Sequence, residues 1–140
     1  MKVEFSRSPR LWLYGVITWG IALFILSSLS KVLPDGGPEI PQLDKIMHFG
    51  YFMGGAFIFT TWLLLRKGSD AGPLLRIFLP IILFAVIGVL DEYHQTFTPG
   101  RSGNDPYDWL ADIFGSLTGI LIANWFHPAH RKLSSLPPED

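Results

Sequence analysis

Four apolar stretches, at positions 11–30, 46–65, 74–90 and 109–126, take up 75 of the 140 residues and leave few folds open to the chain. Each is close to the roughly 20 residues that carry a helix across a hydrocarbon core of about 30 Å. Inside them the only side chains that can carry charge near neutral pH are His48, Arg76 and Asp112. A helix of a soluble bundle keeps one polar face. The runs LWLYGVITWGIALFIL and FLPIILFAVIGVL have none. The expected fold class is therefore all-α: a polytopic membrane protein with four transmembrane helices in a bundle. Residues 1–140 are read as one four-helix membrane domain.

Composition narrows the function. Charged residues make up 16% of the chain, where a soluble domain carries about 25%. The net charge is −1 and no basic run occurs, which excludes a nucleic-acid partner bound through a basic surface. With no cysteine, disulfides, thiolate metal sites and a Cys nucleophile are excluded. Lys2, Arg7 and Arg10 form a basic front to the first stretch. That stretch is long for a signal peptide and three more follow, so it reads as a span.

Lys and Arg counts in the short loops set the expected orientation. Lys2, Arg7, Arg10, Arg66, Lys67, Arg76, Arg131 and Lys132 fall on one side, against Lys31, Lys45 and Arg101 on the other. Both termini are thus expected in the cytoplasm of a bacterial cell, with the chain in the cytoplasmic (inner) membrane. Trp12, Trp62, Trp109 and Trp125 sit near span ends, as interfacial aromatics do. Pro80 should kink the third span or require its freed carbonyl to be satisfied elsewhere. Gly36, Gly37 and Pro38 break one outer loop, and Pro99, Gly100, Gly103 and Pro106 the other. The tail from His127 reads as polar and mobile.

The polar residues gather on the three-cation side. Eight of the twelve acids fall there, Asp35 and Glu39 among them. Asp44 and His48, Asp91 and Gln95, and Asp108 and Asp112 are each spaced i,i+4, so each pair shares a helix face at the outer end of its span. Asp112 lies about 6 Å deeper than Asp108 at 1.5 Å per residue. A carboxylate at a span centre costs roughly 2.5–3.5 kcal/mol, less toward the interface, so Asp112 needs an inward-facing partner. His48, one turn below Asp44, is the natural one. Arg101 is the expected counter-charge, since its fork can satisfy two carboxylates. The fourth span also carries Ala111, Gly115, Gly119 and Ala123 at four-residue spacing, and the second carries Gly50 and Gly54. Such stripes let membrane helices pack closely. Spans two and four are expected to touch through Gly54, Gly115 and Gly119.

At Asp44-Lys45-x-x-His48-Phe49, Asp91-Glu92-x-x-Gln95, Pro99-Gly100-Arg101-Ser102 and Asp108-x-x-x-Asp112-x-x-Gly115-x-x-x-Gly119, the sequence resembles the VanZ-like membrane protein family. The match runs from about Asp44 to Ile120 and includes the four-span layout. Family members often carry Asn where this chain has Asp112. The departure adds a charge to the site or marks a subgroup. The resemblance implies a small four-helix membrane protein of the cell envelope, from a family named for resistance to the glycopeptide teicoplanin. It implies site positions more than a reaction, and nothing in the chain resembles a soluble acyl-CoA enzyme.

Three functions remain open at the level of sequence. In the first, an enzyme acts on a lipid-linked or cell-wall-related substrate. His48 would be its general acid or base, with Glu92 and Asp112 as catalytic partners. Asp44, Lys45, Asp91, Gln95, Arg101 and Asp108 would bind the substrate. Lys45 and Arg101 suit phosphate or carboxylate. Glu92, Asp91 and Asp108 can offer oxygens to a divalent cation, the one cofactor implied. The second function is a non-catalytic envelope factor that binds a partner or masks an antibiotic target. The third, transport of a lipid or small molecule, is weakened by the inner halves of the spans, whose polar content is Thr18, Thr60, Thr61, Asn124 and Arg76. Membrane lipids or a lipid-linked envelope precursor are the expected partners.

Overall fold

A computed structural model describes residues 8–30, 41–67 and 72–134, with side chains as far as residue 126. Lys2, Arg7, Lys31 and the expected breaks at Gly36, Gly37 and Pro38 lie outside the described residues. Four helices pack into a bundle: α1 (Pro9–Ser27), α2 (Leu43–Lys67), α3 (Leu79–Gln95) and α4 (Pro106–Ser134). No strand occurs among the described residues. α1, α2, α4 up to Phe126, and α3 with the turn before it are each long and apolar enough to cross a membrane. The apolar side chains left on the outside are large and numerous. On α1 alone Leu11, Tyr14, Ile17, Ile21, Phe24 and Ile25 are exposed, and Ser27 is its one buried residue. In water such a surface would aggregate; in lipid it is the solvated face.

The expected spans shift at their ends. α1 stops at Ser27, where Ser28 donates its hydroxyl to Phe24 O at 2.7 Å. The helix bounds of α2 and α4 reach beyond the apolar stretches because their charged first turns are helical too. The tail expected from His127 onward continues α4 as far as Ser134.

α2 and α4 form the most extensive helix pair. A Cβ at Gly115 would strike Phe49 O, and one at Gly119 would strike Met53 O. The two helices therefore meet through two α4 glycines and the α2 main chain at Phe49 and Met53, one turn apart. Gly54, expected in this contact, has nothing within 4 Å of a Cβ position. It is one residue past Met53, about 100° round the helix, and so faces away. Gly55 has a different use. The Trp19 ring of α1 fills the space where its Cβ would be, and Trp19 Nε1 donates to Tyr51 O at 2.9 Å. That ring lies against Phe52 and Phe84, which with Ala56 and Ile120 make the buried centre of the bundle.

Pro80 is accommodated without a broken helix. A π-helical turn, Leu74–Phe78, precedes α3, and Leu79 N–H reaches back to Leu74 O. Pro80 has no N–H for Arg76 O, the acceptor four residues earlier. Asn124 of α4 supplies the donor instead, with its Nδ2 3.1 Å from Arg76 O. The polar Asn124 in an apolar span is thereby explained by a proline on another helix.

Candidate functional site

One end of the bundle is polar. It is built from the start of α2, the end of α3, the connection 96–105 and the start of α4. Asp44 and Asp108 stand in the first turns of α2 and α4, where unpaired amides and the helix dipole favour a negative charge. Asp105 caps α4, since its Oδ1 accepts the Tyr107 N–H at 2.8 Å. That bond, together with the Lys45 ammonium, holds the Asp105 carboxyl below the usual carboxylate range.

Two contacts tie α2 to α4 here. His48 Nδ1 lies 3.0 Å from Asp112 Oδ1. An ionised carboxylate only accepts, so Nδ1–H is the donor. Lys45 Nζ sits 2.9 Å from Asp108 Oδ1 and 3.1 Å from Asp105 Oδ2. Asp112 is wholly buried and His48 nearly so. The partner that a deep carboxylate demands is thus the imidazole one turn below Asp44. Asp44 itself is half exposed, with Oδ1 4.0 Å from His48 Nε2.

α3 adds three buried polar residues. Asp91 Oδ2 accepts from Gln95 Nε2 at 2.8 Å, closing the i,i+4 pair. Glu92 Oε2 accepts the Asp105 main-chain N–H at 2.8 Å, so this side chain pins the loop that caps α4. Its other oxygen, Oε1, lies 4.0 Å from His48 Nδ1.

Arg101 does not occupy the place expected of it. Its Nε and Nη2 both bond Gln95 Oε1, at 3.0 and 2.6 Å, and the nearest carboxylate is Asp44 at 3.8 Å. The reason is position. Arg101 follows the turn at Thr98–Gly100 and reaches the rim, whereas Asp112 is one turn inside α4. Lys45, not Arg101, bridges two carboxylates. The oxygen set Glu92, Asp91 and Asp108 is also divided, because Asp108 turns to Lys45. Among the described residues, the groups whose donor atoms lie within 4.8 Å of one another are His48, Asp91 and Glu92, and Asp44, His48 and Asp108.

Several residues that position this end were not singled out from sequence. A Cβ at Gly88 would touch Asp112 Oδ2 and Trp109, so Gly88 makes room for the buried carboxylate. It stands four residues before Glu92, and that spacing was the available signal. Gly103, read only as a loop break, brings the loop against Glu92 O and Thr96 N where no side chain fits. Ser27 of α1 meets the loop and α3 through Thr98 Oγ1, which donates to Ser27 O at 3.1 Å, and through His94 Nδ1, 3.3 Å from Ser27 Oγ. No sequence spacing links these residues, because the contacts cross between distant helices.

An open cleft with a cavity volume of about 40 Å³ reaches the polar end between α1, α2 and α3. Leu23, Leu26, Met47, Tyr51 and Phe52 give it apolar walls, and Asp44, His48, Asp91, Gln95 and Arg101 give it a polar lining. A sequence model of the VanZ/LLP1 family matches residues 6–127. The chain belongs to the VanZ/LLP1 family. No curated protein and no solved structure matches it. In this VanZ-family membrane protein the matched region takes in all four spans, and with them every residue of the polar end.

Proposed function

We propose that this VanZ-family protein binds the polar head of a lipid-linked, cell-wall-related substrate and acts on it by acid–base chemistry at the polar end. The observation that carries this reading is the cleft. It joins an apolar wall to a buried His–Asp pair, which is the shape an amphiphile with a polar head requires. A second apolar groove, between α1 and α3, is lined by Gly20, Leu23, Phe24, Ile87 and Leu90 and runs to Asp91 and His94. It offers the substrate's hydrocarbon part a lateral way in. His48 acts as general base or acid, oriented by Asp112, and Glu92 stands 4.0 Å from the same imidazole. Arg101, Lys45, Asp44, Asp91, Gln95 and Asp108 bind and position the head group.

The orientation that suits this role puts both termini in the cytoplasm of a bacterial cell and the polar end outside, as the Lys and Arg distribution argues. Transport fits less well. Below Asp112 the bundle centre is filled by Phe52, Ala56, Phe84 and Ile120. Among the described residues, the buried polar side chains there are Ser116, Thr60 and Thr61. The charged group with a buried atom is Arg76, through its Nε, and it forms no continuous charged path to Asp112. A contribution to teicoplanin tolerance would act through the amount or form of the lipid-linked precursor.

Lipid mass spectrometry of the purified protein and of Arg101→Ala tests the reading. The wild type should retain a phosphorylated or glycosylated lipid that the variant loses. Identical lipid profiles from the two proteins would remove the support for a head-group site.

A further inference from the structure

The polar end carries an unbalanced charge. Among the described residues it holds six carboxylates, Asp44, Asp91, Glu92, Asp105, Asp108 and Asp112. Lys45, Arg101 and His48 are the only bases within 4.0 Å of any of them. Even a protonated imidazole leaves three negative charges in excess. Four of the carboxylates, those of Asp91, Glu92, Asp108 and Asp112, are buried, and a buried charge without a partner is costly.

The imbalance has a location. Lys45 takes up Asp105 and Asp108, and Asp44 is half exposed. The deficit falls on the carboxylates around His48. Asp112 has Oδ1 on the imidazole and Oδ2 buried without a hydrogen-bond partner, and the rest lies on α3. Glu92 is 4% exposed, yet its Oε1 is buried with no hydrogen-bond partner. That atom points toward His48, and Asp91, Glu92 and His48 each place a ligand atom within 4.8 Å of the other two. Two carboxylate oxygens and an imidazole nitrogen are a donor set for a first-row divalent ion, and less so for Ca²⁺, which prefers oxygens throughout.

We propose that His48, Asp91 and Glu92 hold a divalent transition-metal ion at the polar end. It would supply Glu92 Oε1 with its missing partner. With His48 a neutral ligand the excess is four, and the ion offsets two of those charges. The His48 nitrogen nearest Glu92 is Nδ1, so the ion would replace the proton that Nδ1 shares with Asp112. Asp112 Oδ1, 3.0 Å from that nitrogen, would adjoin the ion, and Nε2 would stay free on the Asp44 side. Lys45 excludes Asp108 from the site by pairing with it. His48 and Asp91 both line the cleft, so the ion faces whatever the cleft admits. The set differs from the all-oxygen one that the sequence suggests, and the proposal does not depend on the identity of the substrate.

The test uses the full chain in detergent, stripped with EDTA and titrated with Mn²⁺ and, separately, Zn²⁺. The wild type should take up one ion per chain. Bound Mn²⁺ should show imidazole ¹⁴N coupling in pulsed electron paramagnetic resonance, a readout that needs no variant. Glu92→Gln and Asp91→Asn should each weaken uptake at least tenfold, while Asp105→Asn, which removes a charge outside the trio, should not. No stoichiometric uptake by the wild type, or uptake without nitrogen coupling, overturns the proposal. In the first case protons would neutralise the acids, and in the second an ion held by oxygens alone. The lipid comparison with Arg101→Ala is read separately, so either idea can fail while the other stands.

Discussion

Replacing Gly115 by alanine adds one methyl group at the tightest point between α2 and α4. The new Cβ would fall inside the van der Waals envelope of Phe49 O, with the Phe49 carbonyl carbon and Cα also in contact. An ordinary carbon–oxygen contact needs about 3.3 Å, so the helices must part by about 1 Å. Main chain cannot give way as a flexible side chain does. Overpacking of this kind costs about 2 kcal/mol. The same substitution at Gly54, with nothing within 4 Å, removes a helix-interior glycine and should gain up to about 1 kcal/mol. Two chemically identical changes should therefore differ by about 3 kcal/mol and in sign. Gly115→Ala should also disturb the polar end, because His48 adjoins Phe49 and its 3.0 Å bond to Asp112 spans the same pair of helices. Unfolding in mixed micelles, followed by tryptophan fluorescence, measures both variants against the wild type. Equal shifts for the two would refute the packing argument.

Asn124→Leu should cost about 1–3 kcal/mol, since it strips Arg76 O of its donor in an apolar setting. Pro80→Ala restores the N–H that Arg76 O lacks, so the loss should shrink in that background, and a double-mutant cycle would show a coupling of at least 0.5 kcal/mol. The Asp105 carboxyl is held low by the Tyr107 amide and Lys45, so its contribution is present above the unfolded value of about 3.9 and is lost as pH falls through the lower folded value. Wild type should accordingly lose its stability advantage over Asp105→Asn on acidification from about pH 4, as melting curves across that range would record. For orientation, a cysteine in place of exposed Ser102 should react with an impermeant maleimide in intact cells, and one in place of Lys67 only after permeabilisation. The reverse pattern inverts the topology.

How much the sequence revealed depends on whether a residue sits on a helix. Helix number, approximate bounds and the pairing of spans two and four follow from apolar length and small-residue spacing, and the structure has them. The face of a span is harder to assign. Gly54 and Gly55 both belong to a plausible stripe, but the partner of α2 on that side is Trp19, a bulky residue whose need for a glycine is invisible from the α2 sequence alone. The real α2 contribution to the α4 contact is main chain at Phe49 and Met53, and main chain leaves no mark in residue type. Asn124 is the converse case. Its reason lies in a proline on another span, and the two can be linked only once the bundle is assembled.

At the polar end the same division holds. The i,i+4 pairs put His48 below Asp44 and Asp112 below Asp108 by helix geometry, and the His48–Asp112 bond is what two such turns produce when α2 and α4 start at one level. Counter-charges are different, because a loop arginine has no periodicity to locate it. Charge arithmetic favoured Arg101 as the clamp. Connectivity favours Lys45, which is fixed at the first turn of α2 beside the α4 cap, while Arg101 is spent on Gln95 at the rim. The consequence reaches beyond assignment. With Lys45 occupied by Asp105 and Asp108, and Arg101 by an amide, neither strong base in the site neutralises Asp91 or Glu92. Those carboxylates are left facing His48 on the side where the cleft opens, so the helix positions that make the site compact are also what leave it short of positive charge.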